Sequence, residues 1–217
     1  MSFAGDKKSG RSILASLEEK IKVWLLPKVP KQIETYHLTL ATLIWSLLVI
    51  AFSFLARYNI KFLWLVSGII ICQYITDLLD GAIGRIRNTG LVKWGYYMDH
   101  FLDFLFLCAI LIGYAFIIPD HYKYMLFFIM ALFCGFMVNS FLSFMATNEF
   151  KIEYFGIGPT EIRLLFIIVN VLLSIFGRTY LAFSLPYVLF FSTLILFITV
   201  YKTQKKIWEI DMKEKEK

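Results

Sequence analysis

Residues 77–103 read DLLDGAIGRIRNTGLVKWGYYMDHFLD. IIICQYIT precedes the stretch and FLFLCAILI follows it, so Asp77, Asp80, Asp99 and Asp103 sit inside some of the most apolar sequence of the chain. A carboxylate in the middle of a membrane helix costs about 2.5–3.5 kcal/mol to insert. Four of them cost about 10–14 kcal/mol before any relief from shallow depth, and crowding like charges adds to that. Something must neutralise them, and that requirement organises the reading of the whole chain.

Helical spacing puts the four on two facing stripes. Asp77 and Asp80 are three apart, and Gly81, Gly84 and Arg85 continue the same face. Gly95, Asp99 and Asp103 step by four along the next helix. Two antiparallel helices joined by a short turn can aim these faces at each other, giving one pocket with four carboxylates. A single arginine does not balance four anions, whereas two divalent cations do. Oxygen-only ligation selects hard ions such as Mg²⁺, Mn²⁺ or Ca²⁺. Paired metals are a recurring device for displacement at phosphorus. Gly81 and Gly84 clear bulk for a phosphate or a flat base, Arg85 offers a fork of donors to phosphate, and Gly95 allows close helix approach.

Composition says where this pocket lies. Of the 217 residues, 59% are apolar, with 22 Phe and 12 Tyr. Soluble domains hold about 45–50% apolar residues, so the chain is an all-α membrane protein. Six spans of adequate length fall at about 37–56, 62–86, 93–118, 122–146, 160–177 and 180–202. Breakers separate them at 56–59, 88–90, 119–120, 147–159 and 177–178. No internal repeat is evident. Residues 1–36 form an arm without a cleavable leader. Within it, Ile13, Leu14, Leu17, Ile21 and Trp24 make one apolar face of a helix lying in the membrane interface. Pro27 and Pro30 end that helix. Residues 37–202 are the membrane domain, and 203–217 are a charged helical tail.

Of the 22 lysines and arginines, all but Arg57, Lys61, Lys123 and Arg178 fall on the side of the two termini. The positive-inside rule makes that side cytoplasmic. This sorting also explains the net charge of +6 without nucleic acid as a partner. The four aspartates then lie in the cytoplasmic half of an integral, multi-pass protein. Cys72, Cys108 and Cys134 lack metal-ligand spacing and read as small apolar side chains.

These residues resemble the signature of the CDP-alcohol phosphotransferase (CDP-alcohol phosphatidyltransferase) family of integral membrane enzymes. That pattern runs D-x-x-D-G-x-x-A-R, a gap of eight or nine, then G-x-x-x-D-x-x-x-D. Gly84 stands where the family has alanine. The resemblance implies transfer of a substituted phosphate from a CDP-linked donor to an alcohol, with release of CMP. It implies metal binding by Asp77, Asp80, Asp99 and Asp103, with Asp103 also the base toward the acceptor. It implies a CDP site at Asp80, Gly81, Gly84 and Arg85, two Mg²⁺ or Mn²⁺ ions, membrane lipids as surroundings and a homodimer. The short chain favours CDP-diacylglycerol as donor. Inositol phosphate, glycerol phosphate or serine all fit as acceptors, as does a diacylglycerol paired with CDP-choline or CDP-ethanolamine.

A second candidate region is GIGPTEIR, residues 156–163, with Pro159 and Thr160 as helix-start signals. Helix starts attract phosphate, so Glu161 and Arg163 are placed to frame the acceptor or a lipid headgroup. Lys151 is a further phosphate candidate, and Asn139, Ser143 and Asn148 rank below it. Thr39 and Thr42, near His37 at the start of the first span, are candidates for the nucleotide cleft. Two rival readings start from the same carboxylates. A membrane prenyltransferase also holds metal-diphosphate on aspartates, but with about nine spans and no counterpart of Gly81 and Arg85. A cation transporter usually shows internal repeats and broken helices.

Overall fold

The structure, a computed structural model, describes residues 14–87, 91–150 and 158–216. It contains seven α-helices: α1 (Ala15–Leu25), α2 (Thr35–Ala56), α3 (Leu63–Arg87), α4 (Val92–Ala115), α5 (Lys123–Thr147), α6 (Pro159–Phe176) and α7 (Thr179–Lys215). No β-strand forms among the described residues. Among the described residues six helices, α2 to α7, are long and apolar enough to cross a membrane. The last of them runs without interruption into the charged tail, and Pro186 lies inside it.

The sequence of α2 shows why these helices assemble as they do. Its buried positions are Thr35, Leu38, Thr39, Thr42, Ser46, Val49, Ser53 and Ala56, a stripe of mostly small and hydroxylated residues. Many of its large apolar residues, Leu40, Leu43, Ile44 and Leu47 among them, face outward, with Leu47 at 68% exposure. That is the reverse of a water-soluble helix. In lipid the outward face carries no penalty, and small inward residues let backbones approach closely. Ser46 Oγ folds back on its own helix, donating to Thr42 O at 2.7 Å.

That slim helix packs extensively on both α3 and α4, while α6 packs on α3 and α7 on α5. Val49, Leu63, Val66, Ile70, Phe106, Ile110 and Leu173 are among the residues of the main core. α2 and α4 approach each other closely at one point. A Cβ on Gly113 would lie 2.5 Å from Ser53 Oγ. Gly95, expected to allow close approach, does not serve that purpose. A Cβ there would meet nothing within 4 Å. The helix faces converge further along α4, at Gly113.

The helix ends follow local chemistry. Asn148 takes a left-handed conformation (φ 56°) to stop α5, and Gly177 (φ 85°) stops α6. Arg178 Nη2 donates to the carbonyls of Ala56 and Arg57, at 3.3 and 2.6 Å, and so closes the C-terminal end of α2.

The apolar face read for the arm is divided in the structure. Ile13 lies outside the described residues. Leu17 and Trp24 are exposed and Leu14 and Ile21 half-buried, while Leu25 and Leu26, outside that face, pack against Leu38, Leu79 and Ile83. Arg87, the last residue of α3, fastens the connection after α1. Its guanidinium donates to the carbonyls of Val29, Pro30, Lys31 and Ile33. A cation over the last turn of α3 also suits that helix's dipole.

Candidate metal and phosphate site

α3 and α4 each bring two of the aspartates to one end of the bundle, and α6 closes the third side. One carboxylate oxygen from each of Asp77, Asp99 and Asp103 lies within 4.8 Å of the others. All three residues are half-buried. Asp103 is roughly 15 Å from the start of α4 and Asp77 roughly 15 Å from the end of α3, at 1.5 Å per residue. The cluster is therefore recessed within the helical layer.

Asp80, outside that 4.8 Å group, is bonded to α2. Its Oδ2 accepts a hydrogen bond from Thr39 Oγ1 of α2 at 2.6 Å. Its Oδ1 is buried with no hydrogen-bond partner. Gln73, one helical turn before Asp77, donates from Nε2 to Asp103 Oδ1 at 3.2 Å, and its own Oε1 is likewise buried and unsatisfied. Buried acceptors without donors are uncommon and call for an absent water or ion. Clustered carboxylates beside orphaned oxygens are the donor set a hard divalent cation takes. The residues present fit such an ion.

Arg163 supplies the positive charge nearest the trio. It is buried, and its fork spans two helices. Nη1 lies 3.0 Å from Asp77 Oδ2, and Nη2 lies 2.8 Å from Asp103 Oδ1. Glu161, two residues earlier, organises the start of α6. Its Oε2 accepts from Gly158 N at 2.8 Å, and its Oε1 accepts from Leu14 N at 3.3 Å, which ties α1 to α6.

The remaining candidates fall as follows. Arg85 is exposed, and its Nη1 would lie 3.5 Å from a Cβ placed on Gly81, so the guanidinium drapes over that glycine. Gly81 is exposed and Gly84 half-buried. Lys151 and Gly156 lie outside the described residues. Thr42 is buried in α2. His37 Nδ1 accepts from Glu34 N at 3.0 Å at the start of α2. Asn139 donates to Thr203 Oγ1 of α7 at 3.4 Å. The Ser143 carbonyl accepts from Thr147 Oγ1 at 2.8 Å.

Two residues of the site escaped the sequence reading. Gln73 continues the Asp77 and Asp80 face by one turn, and a polar residue in an apolar helix was the available signal. His100 Nδ1 lies 3.7 Å from Asp99 Oδ2, and its ring is held among Tyr96, Phe141 and Phe150. Spacing carries no sign of that box, because Phe141 and Phe150 come from a distant part of the chain.

Comparison with known proteins adds one match. A family model described as CDP-alcohol phosphatidyltransferase matches residues 35–202. No curated protein and no solved structure matches the chain.

Proposed function

The chain belongs to the CDP-alcohol phosphatidyltransferase family, and from that premise we propose that it transfers phosphatidyl from CDP-diacylglycerol to an alcohol and releases CMP. The observation that carries this reading is the convergence of Asp77, Asp99 and Asp103 within 4.8 Å. In this reading Asp77, Asp80, Asp99 and Asp103 hold two divalent cations, Mg²⁺ or Mn²⁺. When bound, these would offset the charge of the pyrophosphate and of departing CMP.

The chain's own residues do the rest. Asp103, which Arg163 of α6 contacts at 2.8 Å, takes the hydroxyl proton of the acceptor. The acceptor oxygen forms a bond to the lipid phosphorus as the bond from that phosphorus to the CMP oxygen breaks. CMP leaves with the bonding electron pair. Gln73 donates to Asp103 from α3, which restricts the direction of its free lone pairs. Thr39, Asp80, Gly81, Gly84 and Arg85 receive the CDP part, with Arg85 on the phosphates. Glu161, Arg163 and Lys151 frame the acceptor side. The site and both termini face the cytoplasm, where CDP-linked donors and water-soluble alcohols meet the bilayer.

The test is CMP release by the purified protein with CDP-diacylglycerol, Mg²⁺ or Mn²⁺, and inositol phosphate, glycerol phosphate or serine in turn. CMP formed with one acceptor and abolished by chelation is the expected result. No CMP with any of these acceptors overturns the proposal, and CMP formed only from CDP-choline and diacylglycerol overturns its choice of donor.

A further inference from the structure

We infer that Arg163 is the resident counter-ion of the aspartate cluster and that it gives up Asp77 and Asp103 when a divalent cation binds. This rests on the metal-binding reading above and extends it to a residue of α6.

The argument begins with repulsion. Three carboxylates whose oxygens lie within 4.8 Å of one another push α3 and α4 apart. A cation beside them relieves that repulsion. Arg163 provides one from a third helix. It is 8% exposed, so its charge is largely removed from water and must be paired. A guanidinium cannot shed its proton to relieve that burial. Its planar fork meets Asp77 of α3 at 3.0 Å and Asp103 of α4 at 2.8 Å, one nitrogen to each. One side chain thus cross-links α3, α4 and α6 at the site.

The same carboxylates cannot serve both cations fully. Asp77 Oδ2 and Asp103 Oδ1 are committed to the guanidinium, and Asp103 Oδ1 also accepts from Gln73. A divalent ion seated among these carboxylates would have a permanent positive charge in contact with two of its ligands. Metal entry and the Arg163 bridges therefore compete. The metal takes over the cross-link as the arginine leaves it, and a freed guanidinium becomes available to an incoming anion. A merely structural arginine would instead keep the carboxylates oriented, and metal would bind best with it in place. The two roles predict opposite signs.

The experiment titrates Mn²⁺ into detergent-solubilised full-length protein and follows loss of the free-ion EPR signal, with melting temperature recorded on the same samples. Arg163→Gln removes the charge. The expected result is Mn²⁺ affinity tightened by about tenfold or more, since one unit charge beside two ligands is removed. The metal-free melting temperature should fall while the gain on adding Mn²⁺ grows beyond that of the wild type. An unchanged or weakened affinity overturns the inference. Should Arg163→Gln fail to fold, Arg163→Lys is read instead. An ammonium cannot span both carboxylates as the fork does, so its affinity should tighten by about threefold, and an unchanged or weaker value again overturns the inference. Wild-type protein that binds no Mn²⁺ at millimolar concentration overturns the metal reading itself, and the inference with it. Mn²⁺ binding that ignores the substitution removes the inference alone.

Discussion

Thr39 of α2 and Asp80 of α3 share a hydrogen bond of 2.6 Å inside the bundle, the threonine Oγ1 donating to Oδ2. The other oxygen of Asp80 is buried without a partner, so among the described residues this hydroxyl is the one donor holding the side chain. Hydrogen bonds to charged groups contribute about 1.5–3 kcal/mol. Thr39→Val should lower CMP release at least about tenfold and raise the Mg²⁺ concentration needed for half-maximal rate. Thr39→Ser should stay near the wild type. Equal rates for all three would remove Thr39 from the site.

Asp103 is the residue on which Gln73 and Arg163 both converge. Asp103→Asn keeps the shape and removes both the charge and the proton acceptor. General bases contribute about 10²–10⁴-fold to rate, so turnover should drop by at least about 100-fold. Binding of CDP-diacylglycerol, followed by equilibrium dialysis of labelled lipid in mixed micelles, should persist. Retained turnover would exclude Asp103 as the base.

The guanidinium of Arg85 lies over Gly81 on the exposed side of α3. Nothing in its surroundings suggests a role in the core, so its loss should be felt by the donor rather than the fold. Arg85→Ala is expected to raise KM for CDP-diacylglycerol about tenfold, the scale of one charge-assisted hydrogen bond, with little change in kcat or melting temperature. An unaltered KM would reject the phosphate contact.

Much of this architecture can be read without coordinates. The apolar runs give the six spans, because length and hydropathy alone decide which helices can cross lipid. The three-and-four spacing brings Asp77, Asp99 and Asp103 together, because helix geometry fixes which residues share a face. Relationships between distant helices are another matter. Arg163 lies 60 residues from Asp103, and no spacing rule says that α6 turns it onto both α3 and α4. Asp80 points to Thr39 because α2 slips between α3 and α4, a topology the sequence does not announce. The misjudged role of Gly95 has the same origin. A glycine shows that a backbone can be approached, and only the packing shows whether one is.

That distinction can be tested at Gly113, where a Cβ would lie 2.5 Å from Ser53 Oγ and 2.8 Å from Ser53 Cβ. Gly113→Ala must push α2 and α4 apart. Overpacking of this kind costs about 1–3 kcal/mol, read as a lower melting temperature in detergent. Ser53→Gly in the same chain should restore most of the loss, since it removes the atoms in the way. Gly95→Ala, facing open space, should leave the melting temperature unchanged. Equal effects at Gly95 and Gly113 would contradict the packing described here.

α7 has one more consequence. Its 37 residues make a rod about 55 Å long, against a hydrocarbon layer of about 30 Å. Even leaning by 40° it uses only about 39 Å to cross. Some three turns must therefore stand clear of the lipid as a mast, on the end where Lys206 reaches Glu149 at 2.5 Å. Visitors approaching the bilayer from that direction would meet Lys205, Trp208 and Met212 before reaching the headgroups.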